Sequence, residues 1–191
     1  MYFTILETII FDTIGLSPDA GRMKQLDVDM CERLEKFLNI KPNHRELFEK
    51  LWSAHNDVSH LTPKQILSKD LKIVENILVP GLPMLVKKFL CLCNVQSEIR
   101  SLYEEAMCSV IVLMGLEVTN GVVYRDIGLY PYGEGCQIVE IIDKNLMNCA
   151  ELNLEVVDVE ISNIKYFKQN NHKLSRKRIL PLIKASIKQL C

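Results

Sequence analysis

Phe3, Ile5, Leu6, Ile9, Ile10 and Ile14 recur at three- and four-residue steps until Gly15 and Pro18 stop them, a spacing that predicts a first helix. Val28, Cys31, Leu34, Phe37 and Leu38 form a second stripe over 27–38, with Glu32 and Lys36 paired on the polar side. Asn43-His44-Arg45-Glu46 and Thr62-Pro63-Lys64-Gln65 have the form of capping boxes, in which a short polar side chain and an acid or amide three residues on satisfy the free N–H groups of a first turn. They predict a helix carrying Leu47, Phe48, Leu51 and Trp52, and another carrying Ile66, Leu67, Ile73, Val74 and Ile77. Pro80 to Pro83 break the latter, and two more helices are predicted near 84–93 and over 96–114, the last capped by Gly115.

After Gly115 the texture alternates. Residues 116–125 read as a hairpin, because Asn120-Gly121 supplies the two positive φ values of a type I′ turn. Further strands are predicted at 137–142 and 154–167, and Ser175 opens a closing helix over 174–190 with Ile179, Ile183, Ile187 and Leu190 in register, kinked or started late by Pro181. The expected fold class is α+β: a helical N-terminal lobe, residues 1–115, followed by a small antiparallel β-sheet packed by a C-terminal basic amphipathic helix, residues 116–191, the two sharing one core.

Composition adds little to that picture. The chain has 191 residues, 48% hydrophobic and 25% charged, enough to bury a core without disulfide or metal staples. The N-terminus lacks an export pattern, and the apolar runs 77–92 and 110–116 are interrupted or too short to span a bilayer, so a soluble intracellular protein of the cytoplasm or nucleus is expected. Seven cysteines form no Cys-x-x-Cys pair, and Cys31, Cys91, Cys93 and Cys108 lie among apolar residues, which reads as reduced cysteine used as a small hydrophobe. His44, His55, His60 and His172 are too scattered for a metal cage, no nucleotide-phosphate or calcium loop is present, and no cofactor is expected. Cys136 follows a Gly-rich turn as a nucleophile could, but it also opens an apolar run, and the structural reading is preferred. No family motif covers enough of the chain to assign one.

Charge changes the picture more. The formal net charge is −1, yet residues 161–191 hold eight bases and no acid: Lys165, Lys168, Lys173, Arg176, Lys177, Arg178, Lys184 and Lys188. This segment could be neutralised within the fold by Glu155, Asp158 and Glu160, could bind nucleic acid, or could meet an acidic protein or import factor. Rigid aromatics dominate interface energies, which singles out the Gly-flanked Tyr130-Pro131-Tyr132 loop. The sequence reading is therefore a non-catalytic adaptor or scaffold subunit of a larger assembly, a hetero-complex or homodimer. It would meet protein partners through Tyr130, Tyr132, Lys173, Arg176, Lys177 and Arg178, with no membrane and no catalytic residue. Nucleic-acid binding through the same basic segment is the first alternative, and a ligand sensor or enzyme with a pocket between the lobes is the second.

Overall fold

The computed structural model describes residues 1–159 and 163–188, and the chain forms two compact units. Unit 1 holds Met1–Asp57 with the hairpin tip Val118–Val123. Its helices are those the apolar spacing predicts: α1 (Tyr2–Asp12), α2 (Gln25–Leu38) and α3 (His44–Asn56). Asn43 accepts at its side chain from the Glu46 amide, 3.2 Å, as its cap position requires, while the Glu46 carboxylate turns outward to Lys50 at 2.7 Å. Leu6, Ile10, Cys31, Leu34 and Phe48 are buried, and the rings of Phe11, Phe48 and Trp52 pack at tilted angles with centroids 5.6–6.3 Å apart.

Unit 2, Val58–Glu117 and Tyr124–Cys191, is built on the sheet. Its elements are α4 (Pro63–Lys69), β1 (Leu71–Val74), β2 (Ile77–Leu82), α5 (Val86–Leu90), α6 (Val95–Ala106), β3 (Val110–Thr119), β4 (Val122–Pro131), α7 (Gly135–Met147), a 3-10 turn (Ala150–Leu152), β5 (Leu154–Val156), β6 (Lys165–Gln169) and α8 (Arg176–Ile187). The strands lie in the order β1-β2-β3-β4-β6-β5. The α+β class read from the sequence is the class of this fold. The sheet is larger than the small antiparallel one expected, with six strands among the described residues and a parallel pair, β2 with β3.

Several element readings are corrected. The capping box of Thr62 and Gln65 is present, but α4 stops at Lys69, and Ile73, Val74 and Ile77 belong to the β1–β2 hairpin, turned by Glu75 at φ 55°. The helix expected over 96–114 ends at Ala106, where Met107 turns left-handed at φ 48°, and 110–114 enters the sheet with Gly115 inside β3. The reason is burial on both faces. Ile77 and Val79 of β2 pack on one side and Leu78 and Leu82 on the other; in β3, Val110, Val112 and Met114 oppose Ile111 and Leu113. A strand covered on both faces shows a continuous apolar run with no alternation, indistinguishable by period from a buried helix. The converse correction is α7, read as a strand over 137–142: Val139, Ile142 and Leu146 are its buried stripe at helical spacing. The strand read over 154–167 is two strands, β5 and β6, and Glu160 and Leu190 lie outside the described residues.

One face of the sheet is covered by α4, α5 and α6, the other by α7 and α8. The runs 77–82 and 110–113 are thereby core and not surface. The Asn120-Gly121 hairpin forms as read, with φ of 54° and 77°. Among the described residues no helix is long and apolar enough to cross a membrane.

Candidate functional site

Four bases of the segment, Lys173, Arg176, Lys177 and Arg178, lie in the first turn of α8 and the loop before it. Ser175 caps that turn, accepting from the Lys177 amide at 3.4 Å through its side chain and from the Arg178 amide at 2.9 Å through its carbonyl. The loop before it, 170–174, is tied down: the Asn170 amide donates to the Asn153 carbonyl at 3.0 Å, and the Asn171 side chain donates to the Glu151 carbonyl at 2.8 Å.

The arginines and lysines of this turn and loop have different fates. Arg176 donates through Nη2 to both carboxylate oxygens of Asp70 at 2.6 Å and through Nη1 to the Asp70 carbonyl at 2.7 Å, so its planar fork is committed to the start of β1. Arg178 holds Glu151 at 3.0–3.1 Å. Neither finds the acidic strand face that the charge pattern suggested; Glu155 instead lies 3.7 Å from Lys168. Lys173 and Lys177 are exposed, and among the described residues no acid lies within ion-pair distance of either. Lys72, two residues beyond Asp70 in β1, is likewise exposed and unpaired among the described residues. Two arginines thus brace the turn while lysines offer mobile positive charge beside free first-turn N–H groups, an arrangement suited to an oxyanion.

Tyr130 and Tyr132 stand elsewhere in unit 2. Both are half-buried against the core: Tyr132 stacks on Tyr103 with centroids 4.7 Å apart, and the Tyr103 hydroxyl donates to the Tyr130 carbonyl. With Gln96, Ser97 and Arg100 they line an open cleft of about 360 Å³. Asp126 is the buried acid of the unit, accepting from the Val86 amide at 2.9 Å and from the Tyr166 hydroxyl at 2.8 Å, and burial raises its carboxyl above the ordinary carboxylate range. Cys31 and Cys108 are buried, and burial pushes each thiol up to about 11; Cys91, Cys93 and Cys136 are exposed, which corrects the core reading of Cys91 and Cys93, since α5 ends before them. Among the described residues no group of three His, Cys, Asp or Glu side chains could hold a metal ion.

Sequence reasoning singled out Lys173, Arg176, Lys177 and Arg178 but missed Asp70, Lys72 and Glu151. Arg176 and Asp70 are 106 residues apart, and nothing local in the sequence announces that pair.

Residues 49–186 match the model of the DHHA2 domain. The chain belongs to the DHHA2 domain family. This DHHA2 chain is similar to the exopolyphosphatase PRUNE1 of Mus musculus and of Homo sapiens, each 25% identical over 187 residues, covering 94% of this chain and 41% of the relative. The chain thus spans about two fifths of the length of the curated relatives it matches. Its fold is similar to that of a solved Methanococcus jannaschii structure described as a family II inorganic pyrophosphatase, with a TM-score of 0.56, 19% identity, and coverage of 96% of this chain and 54% of the other. Family membership and exopolyphosphatase relatives overturn the reading of a non-catalytic adaptor or complex subunit, which rested mostly on the absence of a familiar catalytic motif.

Proposed function

We propose that this chain is the phosphate-binding part of a phosphohydrolase that acts on phosphoanhydrides, inorganic polyphosphate or pyrophosphate. The observation that carries the reading is the first turn of α8 with the loop before it, where Lys177 and Lys173 respectively stand exposed without acidic partners among the described residues, inside the stretch matched by the DHHA2 domain. Support comes also from the names of the relatives, an exopolyphosphatase and a pyrophosphatase.

The chemistry assigns distinct roles. Lys173 and Lys177, and Lys72 two residues beyond the Asp70 that holds Arg176, meet the phosphate oxygens as compact point charges. Arg176 and Arg178, held by Asp70 and Glu151, fix the turn that carries those lysines. In hydrolysis water attacks one phosphorus and the bridging P–O bond breaks, so negative charge builds on the departing phosphate; cations seated on that group stabilise it. The six cysteines described are free thiols, which supports an intracellular setting for this activity.

Titration calorimetry with tripolyphosphate tests the reading. Saturable binding is expected, weakened at least about tenfold by Lys177→Glu with the melting temperature unchanged, since an exposed unpaired lysine contributes little to folding. No saturable binding, or equal binding of a DNA oligomer of matched charge, would overturn it.

A further inference from the structure

The geometry points to Gln169 and Arg125 as positioning residues of the α8 site, which shape it by holding the backbone of loop 170–174 and do not touch the ligand themselves. The inference rests on the phosphate-binding reading above.

Arg125 of β4 and Gln169 of β6 are direct partners in the sheet register, 9% and 3% exposed. The side-chain amide of Gln169 spends both of its N–H groups on the loop, donating to the Asn171 carbonyl at 2.6 Å and to the Leu174 carbonyl at 2.7 Å. Arg125 donates from Nε to the His172 carbonyl at 3.0 Å. Three of the five carbonyls between Asn170 and Leu174 are thereby turned onto two buried sheet side chains.

The Gln169 oxygen shows how firmly this is set. Oε1 is buried with no partner among the described residues. A buried acceptor left unmade is costly, so a glutamine normally turns to satisfy both ends. Here the opposite amide orientation would press Oε1 against two carbonyl oxygens, and the loop admits only the orientation seen. The site therefore carries an unfavourable buried oxygen in order to fix two carbonyls.

What is fixed matters downstream. Lys173 lies between the held carbonyls, its amide anchored on Asn171 Oδ1 at 3.2 Å. Ser175 follows Leu174 directly, and among the described residues the Ser175 and Arg176 amides have no acceptor. Loop and first turn thus present their donors in one preset arrangement, so an incoming anion does not have to order them; preorganisation of that kind appears as affinity.

Gln169→Met removes both donors and the unpartnered oxygen at similar volume. Titration of the full chain with tripolyphosphate is expected to give a Kd raised about tenfold with stoichiometry unchanged. The Gln169→Met and Lys177→Gln double variant is expected to lose less than the product of the single effects, because a lysine on a freed turn has less to lose. An unchanged Kd, a reduced stoichiometry at unchanged Kd, or strictly multiplicative effects would overturn the inference, the second outcome marking a folding role alone. Arg125→Lys, which keeps the charge but shortens the reach to His172, supplies a second variant should the first not fold; its Kd is expected to rise by a smaller factor, and no rise counts against the proposal. Absence of binding by the unaltered chain would sink the phosphate-binding reading and this one with it, whereas binding by that chain and undiminished binding by the variants sinks only this one.

Discussion

Asp126 shows how much one residue can be asked to do. It accepts from the Val86 and Lys87 amides, 2.9 and 3.4 Å, and from the Tyr166 hydroxyl, and so joins β4 to the start of α5 and to β6. Those donors favour the carboxylate, but burial outweighs them and raises the pKa. A carboxyl raised in the folded state binds its proton more tightly there than in the unfolded chain. Its contribution to stability is therefore fully present below the unfolded value near 3.8 and is lost as pH rises through the folded value. Asp126→Asn cannot ionise, so thermal melts across a pH series are expected to show the variant gaining on the unaltered chain as pH climbs from about 4; a constant difference would mean that Asp126 titrates normally. None of this could be read from the sequence, where Asp126 is one polar residue in a strand. Lys173, Arg176, Lys177 and Arg178 were legible because a run of like charge needs no third dimension to be seen, whereas the division of labour between braced arginines and free lysines is set by Asp70 and Glu151, which only folding brings near.

Among the elements, those with local causes were the ones the sequence disclosed. Thr62 with Gln65, Asn43, Ser175 and Asn120-Gly121 each act within four residues, and each sits where it was expected. The start of β2 and residues 110–114 of β3 were read as helix because their cause is the pair of helical layers above and below them. Gly115 marks the cost of that difference: expected as a helix cap, it lies in β3 where an added Cβ would fall 1.9 Å from Asp126 Oδ1 and 2.6 Å from the Val86 nitrogen. Gly115→Ala is expected to cost on the order of 3 kcal/mol, through displacement of the α5 cap. Gly121→Ala has nothing within 4 Å and is expected to cost only about 1 kcal/mol, the strain of a positive φ. Urea titration of both variants separates them, and equal losses would show that the space at Gly115 is not limiting.

For the whole molecule, two facts organise behaviour. The chain divides into two compact units, and its single tryptophan, Trp52, belongs to unit 1. Urea unfolding followed by Trp52 emission is expected to give a midpoint different from that by far-ultraviolet circular dichroism, which reports on the helices of both units; coincident midpoints would mean one cooperative unit. The second fact is where the segment 169–178 is fastened. Arg176 grips Asp70 and the Val79 carbonyl at the β1 margin of the sheet, while Asn170, Asn171 and Arg178 grip Asn153, Leu152 and Glu151 at the β5 margin. A sheet's outermost strands are normally its independent points of fraying, each lost without the other. Here one short belt of chain buckles both sides, so neither border can peel away without slackening the other, and ten residues near the C-terminus tie β1, laid down almost a hundred residues earlier, to the fate of their near neighbour β5.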